Sequence, residues 1–360
     1  LYKKRAVMDE RWKSTDFVHF MHNVDIPIYN VGGWYDIFLQ GNIDNYMFQQ
    51  EHGKEGAAGN QKLRMGPFGH GNLSGDLEYP EAGGLAQFGE DEIRWFDHWL
   101  KGIDNGIMAG PPVQYYMMAS ARKGHVSDKN RWIAAEAWPP PSTPTRFYLA
   151  QGRALSNEPS KYKKAKTTYT ADPNNPIPTV GGNELLLEKG PMDQRAIPQR
   201  ADYVRFETGP LKNDVIVAGP MSFEMYASTD GPDTDFMVKL VDVYPDGYEA
   251  IVMDIPLRAR FRSGRNAEDV KMMTPGEVTF MVIDLWSTAL TFEKGHKIAV
   301  HLSSSNYPRF EVNPNNGAAP GDTSVPPRVA TNTIYHDALN PSALVLPVVD
   351  PGTLPVHQGD

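Results

Sequence analysis

Residues 26–36, Ile26-Pro27-Ile28-Tyr29-Asn30-Val31-Gly32-Gly33-Trp34-Tyr35-Asp36, carry a short apolar run straight into paired glycines and an acid. A run of that length, closed by glycine, reads as a buried strand over 26–31. Working outward, 37–50 has helical periodicity and 62–66 (Lys-Leu-Arg-Met-Gly) reads as a second short strand. Residues 90–101 read as a further helix, with Ile93, Phe96, Trp99 and Leu100 on one face. Strand, helix, strand, helix at these lengths predicts a parallel α/β sheet. Two strands do not complete one, because parallel strands are buried on both faces and need lateral neighbours. Their partners are expected upstream of Leu1 or on another chain. Residues 1–23, with Trp12, Phe17, Phe20 and Met21 at roughly helical spacing, read as the tail of a helical segment.

After Gly110-Pro111-Pro112 the texture changes to short alternating segments punctuated by Pro, Gly, Asn and Asp. Strands are expected over 113–118, 146–150, 203–208, 221–228, 235–244, 250–256, 277–285 and 297–303. So many in one stretch predict an antiparallel β-sandwich, most simply a jelly roll. Pro245-Asp246-Gly247 is a turn between two of them, since proline presets one backbone angle and glycine accepts a positive φ. Segments 139–144, 172–178 and 313–327 read as long surface loops. The expected fold class is therefore α/β plus β: a helical tail at 1–23, the C-terminal part of an α/β domain at 24–110, and a jelly-roll β-sandwich at 111–360.

The chain has 360 residues and a formal charge of −9 with acids and bases interspersed, which argues against a nucleic-acid partner, because that role needs a basic face. It contains no cysteine, so disulfides, thiolate nucleophiles and cysteine metal sites are excluded. No apolar run approaches the length needed to span a bilayer, and no membrane partner is expected. No cofactor or metal is expected either. Val180-Gly181-Gly182-Asn183 opens no strand-to-helix turn of the dinucleotide-binding kind. His19 and His22 lack a third ligand and read as a surface pair. Asp230, Asp233 and Asp235 lack the spacing of a calcium loop and read as a turn, while Trp95, His98 and Trp99 read as packing their helix against the sheet and the sandwich. The compartment stays open between cytoplasm and an exported location.

The chemistry concentrates at two positions. Asp36 stands at the C-terminal end of the first strand, the edge where active-site groups collect in open α/β sheets. The second strand runs into Pro67-Phe68-Gly69-His70, so His70 lies in a loop past the same edge. One helix and one strand separate the two residues, which returns the chain to the same side. An acid followed by a histidine on successive late loops suits the order Ser, Asp, His of an α/β hydrolase. Spacing alone gives equal weight to Asp36 as a turn or helix cap and His70 as an ordinary loop histidine.

Three motifs in order, Gly33-Trp34-Tyr35-Asp36, Gly66-Pro67-Phe68-Gly69-His70 and Arg94-Trp95-Phe96-Asp97-His98-Trp99-Leu100-Lys101-Gly102, together resemble the CocE/NonD hydrolase family. That family includes cocaine esterase, glutaryl-cephalosporin acylases and α-amino-acid ester hydrolases, and is related to Xaa-Pro dipeptidyl-peptidases. Residues 241–247 (Val-Asp-Val-Tyr-Pro-Asp-Gly) and 303–310 (Ser-Ser-Ser-Asn-Tyr-Pro-Arg-Phe) resemble parts of its C-terminal jelly roll. The resemblance places the triad acid on Asp36 and the histidine on His70. It puts Trp34, Tyr35 and Phe38 on the substrate side, with Phe38 either lining an apolar acyl pocket or packing beneath the site. The family's serine sits in a G-x-S-x-G elbow, and this sequence contains no such pentapeptide. Gly71-Asn72-Leu73-Ser74-Gly75 comes nearest with its glycine misplaced, so Ser74 reads as a loop residue. Ile37, Phe38 and Leu39 follow Asp36, which argues against a carboxylate cluster for a substrate ammonium.

The resemblance implies a serine hydrolase cleaving carboxylic esters or amides through an acyl-enzyme, an esterase, acylase or peptidase whose serine comes from an upstream segment. The chain alone is expected to be inactive. The rival reading is a non-catalytic, carbohydrate-binding-like or structural β-sandwich carrying a remnant α/β platform. The partners expected are a small ester or amide substrate and the N-terminal α/β-hydrolase segment, on the same or a companion chain, with assembly into a homo-oligomer left open.

Overall fold

Gly33 and Gly66 set the spacing of the first sheet. They are register partners on two parallel strands, β1 (Tyr29–Tyr35) and β2 (Lys62–Gly69). A Cβ at Gly33 would lie 2.0 Å from the Phe68 carbonyl oxygen, and one at Gly66 2.0 Å from the Phe68 ring. Any side chain at either position would force the strands or Phe68 to move. The computed structural model describes residues 6–80, 82 and 85–354. Residues 1–5 of the expected helical tail and 355–360 of the expected sandwich lie outside the described residues.

From β1 the chain enters helix α2 (Leu39–His52), whose Leu39, Ile43 and Tyr46 recur at three- and four-residue spacing and are buried. Before β1, the described residues of the expected helical tail form instead one short helix, α1 (Glu10–Lys13), and two 3₁₀ turns. The Asp9 and Asp16 carboxylates accept backbone N–H groups and restart the chain every few residues, which prevents a continuous helix.

Helix α3 (Leu85–Lys101) follows β2. Its expected apolar face is not its packing face: Ile93, Phe96 and Leu100 are 65%, 55% and 76% exposed. The helix docks through Trp95, which packs on Tyr29 with ring centroids 5.6 Å apart, and through Asp91, which pairs with the buried Arg64 guanidinium of β2 at 2.6 Å. A guanidinium in the sheet interior must be paired, and that demand sets the rotation of the helix. Of the three residues expected to pack this helix, Trp95 does so, while His98 and Trp99 are half-buried and meet edge-on.

Strand β3 (Val113–Met117), expected in the sandwich, lies parallel to β2 with Leu63 opposite Val113. After the small hairpin β4 (Ala121–Arg122) and β5 (His125–Val126), β6 (Arg131–Ala135) closes that side antiparallel to β3. The first sheet thus has the order β1-β2-β3-β6 and reaches past the expected boundary at residue 110. A strand reads the same in sequence whichever sheet it joins.

The remaining strands are β7 (Thr143–Ala150), β8 (Ala154–Ser156), β9 (Lys166–Ala171), β10 (Val204–Glu207), β11 (Val215–Thr229), β12 (Asp235–Val243), β13 (Glu249–Arg258), β14 (Thr279–Phe292), β15 (Lys297–Ser303), β16 (Ala330–Tyr335) and β17 (Ala343–Val348). They form one eleven-stranded network in the order β13-β12-β15-β10-β8-β7-β17-β11-β16-β9, with β14 on β11. In β14 the alternation is legible at first: Met281, Ile283 and Leu285 are buried, with Phe280, Val282 and Asp284 outward. From Ser287 to Phe292 every residue is buried, because this end runs under the first sheet. There Met118 and Thr291 exchange main-chain hydrogen bonds with the opposite element, Met118 N–H to Ala289 and Thr291 N–H to Met118.

Asp233 and Asp235, expected in a turn, belong to a buried ion network. Asp233 is fully buried and accepts from the Arg260 side chain at 2.8 Å and from the Arg260 N–H. Asp235 receives both donor arms of Arg258, and Asn313 donates to both acids. Asn313 and Asn315 are buried, so the 313–327 segment is partly structural rather than only a surface loop. Replacing Arg260 with Met is expected to cost about 3–5 kcal/mol, because it strands a buried carboxylate, and Asp233→Leu in the same chain should restore most of it. Urea unfolding of the two single variants and the double variant checks this, and additive losses would show that the pair is not coupled.

Candidate active site

The turn after β1 places Asp36 by main-chain geometry. Its N–H bonds to the Gly33 carbonyl, and its own carbonyl accepts from Leu39 as α2 begins. The carboxylate is divided between two tasks. Oδ1 accepts the Phe38 N–H at 3.0 Å, and Oδ2 lies 3.2 Å from Nδ1 of His70. Asp36 is therefore both the turn cap and the hydrogen-bond partner of His70.

His70 follows the last residue of β2 in a tight reversal, in which the Gly71 N–H reaches the Gly69 carbonyl at 2.7 Å and Gly71 has φ +113°. The acid side chain is 12% exposed and the imidazole 53%, so the pair has a dry inner end and a wet outer end. A carboxylate can only accept, which assigns the proton to Nδ1 and leaves the Nε2 lone pair on the open side. Phe38 stands edge-on to the imidazole with centroids 5.6 Å apart and is largely exposed. The His70 loop also lines a cavity of about 260 Å³ with Pro67, Phe68, Leu73 and Tyr79.

Of the three residues expected on the substrate side, only Phe38 reaches this surface. Trp34 and Tyr35 are 1% exposed; the Trp34 indole N–H donates to the Tyr116 carbonyl at 2.8 Å, and the Tyr35 hydroxyl donates to the Ile251 carbonyl at 3.2 Å. Tyr35 thus ties β1 to β13 of the second network, while Trp34 is bonded to β3 within the first sheet. Ser74 is tied by its N–H to the Lys189 carbonyl and makes no hydrogen bond to His70 among the described residues. His19 lies beside Asp16 at the surface.

The sequence reading missed what holds the pair from behind. Asn183, fully buried, donates its amide to the Trp34 carbonyl at 2.9 Å and to the Asp36 carbonyl at 3.0 Å. It belongs to a loop closed by reciprocal Gly182 and Gly190 main-chain bonds. From that loop Lys189 sends its ammonium to the Leu185 and His70 carbonyls at 2.9 and 3.4 Å. At Gly182, φ is +88° and a Cβ would lie 2.4 Å from an Asp254 carboxylate oxygen, so the loop passes tightly over β13. Beside Asn183, burial pushes the Glu184 carboxyl up to about 7, with Arg309 pulling it back. The only local signal was the Gly-Gly-Asn run at 181–183, weighed above for nucleotide binding alone.

Comparison with known proteins divides the chain between residues 72 and 105. Residues 2–72, which contain Asp36 and His70, match the X-Pro dipeptidyl-peptidase (S15 family), and residues 105–345, which contain Asn183, match the X-Pro dipeptidyl-peptidase C-terminal non-catalytic domain. The chain is 30% identical over 359 residues to a cocaine esterase of Rhodococcus sp. (strain MB1 Bresler), an alignment covering 95% of this chain and 59% of that protein. Its structure is similar to that of an aminopeptidase from the marine sediment archaeon Thaumarchaeota archaeon and to that of an α-amino acid ester hydrolase. Both are 26% identical with a TM-score of 0.82, covering 97% and 96% of this chain and 60% of each of theirs. The chain thus spans about three-fifths of the length of these relatives.

Asn183→Ala would remove the side-chain donor of the Trp34 carbonyl and leave the Asp36 carbonyl with only the Leu39 N–H, a loss of about 1–3 kcal/mol. Hydrogen exchange is expected to speed up at Phe38 and Leu39 while β12 and β15 stay protected. Unchanged protection at the Asp36 turn would show that Asn183 does not position it.

Proposed function

The chain belongs to the CocE/NonD family of X-Pro dipeptidyl-peptidase-like hydrolases, and on that footing we propose that it is the C-terminal portion of a serine hydrolase that cleaves carboxylic esters or amides by acyl transfer. The observation that carries this reading is the 3.2 Å pairing of Asp36 with the Nδ1 side of His70, at the C-terminal ends of two adjacent parallel strands. With Asp36 holding Nδ1–H, Nε2 is the nitrogen left to take a proton from a serine hydroxyl, and the carboxylate stabilises the imidazolium that results. The same proton passes to the leaving alkoxide or amine as the acyl-enzyme forms. His70 then activates the water that releases the acid.

In this reading the serine, and with it most of the oxyanion hole, comes from residues outside this sequence, since no G-x-S-x-G elbow occurs within it. The β1-β2-β3-β6 sheet is the end of an α/β-hydrolase sheet whose next strand would pair with β1, and the eleven-stranded network is the family's jelly roll. Phe38, beside His70 and open to solvent, suits an apolar or aromatic acyl group.

In the longer enzyme, His70→Ala is expected to lower kcat by about 10³–10⁶-fold, and Asp36→Asn by about 10⁴-fold through loss of the productive tautomer, with KM changing little. Steady-state assays on an aryl ester check both, and activity within tenfold of the parent would reject His70 as the base. The 360-residue chain alone should show no turnover until a serine-bearing segment is supplied.

A further inference from the structure

A serine, a histidine and an aspartate that the Asp36–His70 pair does not include meet elsewhere in the fold. His296, in the turn between β14 and β15, places Nδ1 2.9 Å from Oδ1 of Asp242 on β12, and Nε2 3.2 Å from Oγ of Ser120, which lies between β3 and β4. All three residues are buried. The order of contacts is the one a nucleophilic serine needs. The acid accepts from Nδ1–H, so Nε2 is left to accept the serine hydroxyl. Burial pushes the Asp242 carboxyl up, and the hydrogen bond from His296 opposes this.

The hydroxyl is not sealed inside a core. Ser120 and His296 line a cavity of about 310 Å³ together with Arg122, His125, Tyr244 and Glu293. Tyr244 packs on the His296 ring at 4.4 Å and holds its plane. The Ala121 N–H, next in sequence to Ser120, makes a long 3.4 Å bond to the Tyr244 hydroxyl, and the Arg122 guanidinium on the cavity wall pairs with Asp246 and lies over the Tyr248 ring. One feature opposes negative charge here. The Ser120 N–H is already given to Glu293 at 3.2 Å, and against the upward push of burial that carboxylate is held below the usual glutamate range by hydrogen bonding from the Ser120 side chain, Lys129 and Ser127. An anion beside the nucleophile penalises a tetrahedral oxyanion. The site is thereby restricted to activated donors with good leaving groups.

We propose that Ser120 is a second nucleophile of this chain, with His296 as its base and Asp242 orienting that base, and that it takes the acyl or phosphonyl group of small activated esters in a stoichiometric reaction. With an aryl ester, Oγ bonds to the carbonyl carbon as its proton passes to Nε2 of His296. The aryl–oxygen leaving group departs as the tetrahedral adduct collapses and takes that proton, so serine and ester become O-acyl-serine and a phenol. This step uses none of the Asp36–His70 machinery and is independent of the acyl-transfer function proposed above.

The test is to treat the native 360-residue chain with a small fluorophosphonate, whose fluoride leaves as Oγ bonds to phosphorus and the hydroxyl proton passes to Nε2 of His296, and to read the adduct by intact mass and peptide mapping. One phosphonyl group on Ser120 is expected, absent in Ser120→Ala, slowed by about 100-fold or more in His296→Gln, and absent when the chain is labelled in urea. No adduct on Ser120 in the native chain overturns the proposal. So does labelling that persists in urea, since it would reflect ordinary serine chemistry, and so does a rate unchanged in a folded His296→Gln variant.

Discussion

The close approach of β1 to β2 is the constraint on which the candidate site rests. Phe68 occupies the space that side chains at Gly33 and Gly66 would need, and these two glycines face each other in register. With that spacing, the strands end together, and the residues just past their ends, Asp36 and His70, fall within hydrogen-bond reach. The glycines serve through what they lack. Their freedom in φ matters instead at Gly71 and Gly182, where positive angles turn the histidine loop and the supporting loop.

Distance alone does not hold an acid and a base in one geometry. The second sheet supplies the remaining restraint through Asn183 and Lys189, which bind main-chain carbonyls on either side of the pair. Their loop is rooted in buried polar groups: Asp254 beneath Gly182 is bonded by Asn306 and Arg309, and Arg309 also approaches Glu184. Such groups are costly to desolvate and tolerate few arrangements, so they specify a position more than they add stability. Residues matched to a domain described as non-catalytic thus reach into the neighbourhood of the proposed catalytic pair.

The same balance between burial and pairing explains where packing departs from a simple apolar rule. Helix α3 turns an apolar stripe outward because Arg64 must find Asp91. Lys239, fully buried on β12, is bonded to Gln194, and desolvation lowers its ammonium to about 8 against the pull of Asp254. In each case the pairing of a charged group in a low-dielectric setting decides the local packing.

From its residues alone, this chain determined the β1, α2, β2 succession, the positions of most later strands, and the placing of an acid and a histidine past one sheet edge in the order of a family motif. These are local properties: periodicity, glycine punctuation and motif order are written within a few residues of where they act. Tertiary structure alone decided that β3 joins the first sheet, that Trp34 and Tyr35 are buried, that Asp233 and Asp235 are paired rather than turned outward, and that Asn183 supports Asp36. It also brought Ser120, Asp242 and His296 together from separate segments. Each of these depends on strand register between segments far apart in sequence, where no local period records the partner and a single residue of slip would send every side chain to the other face.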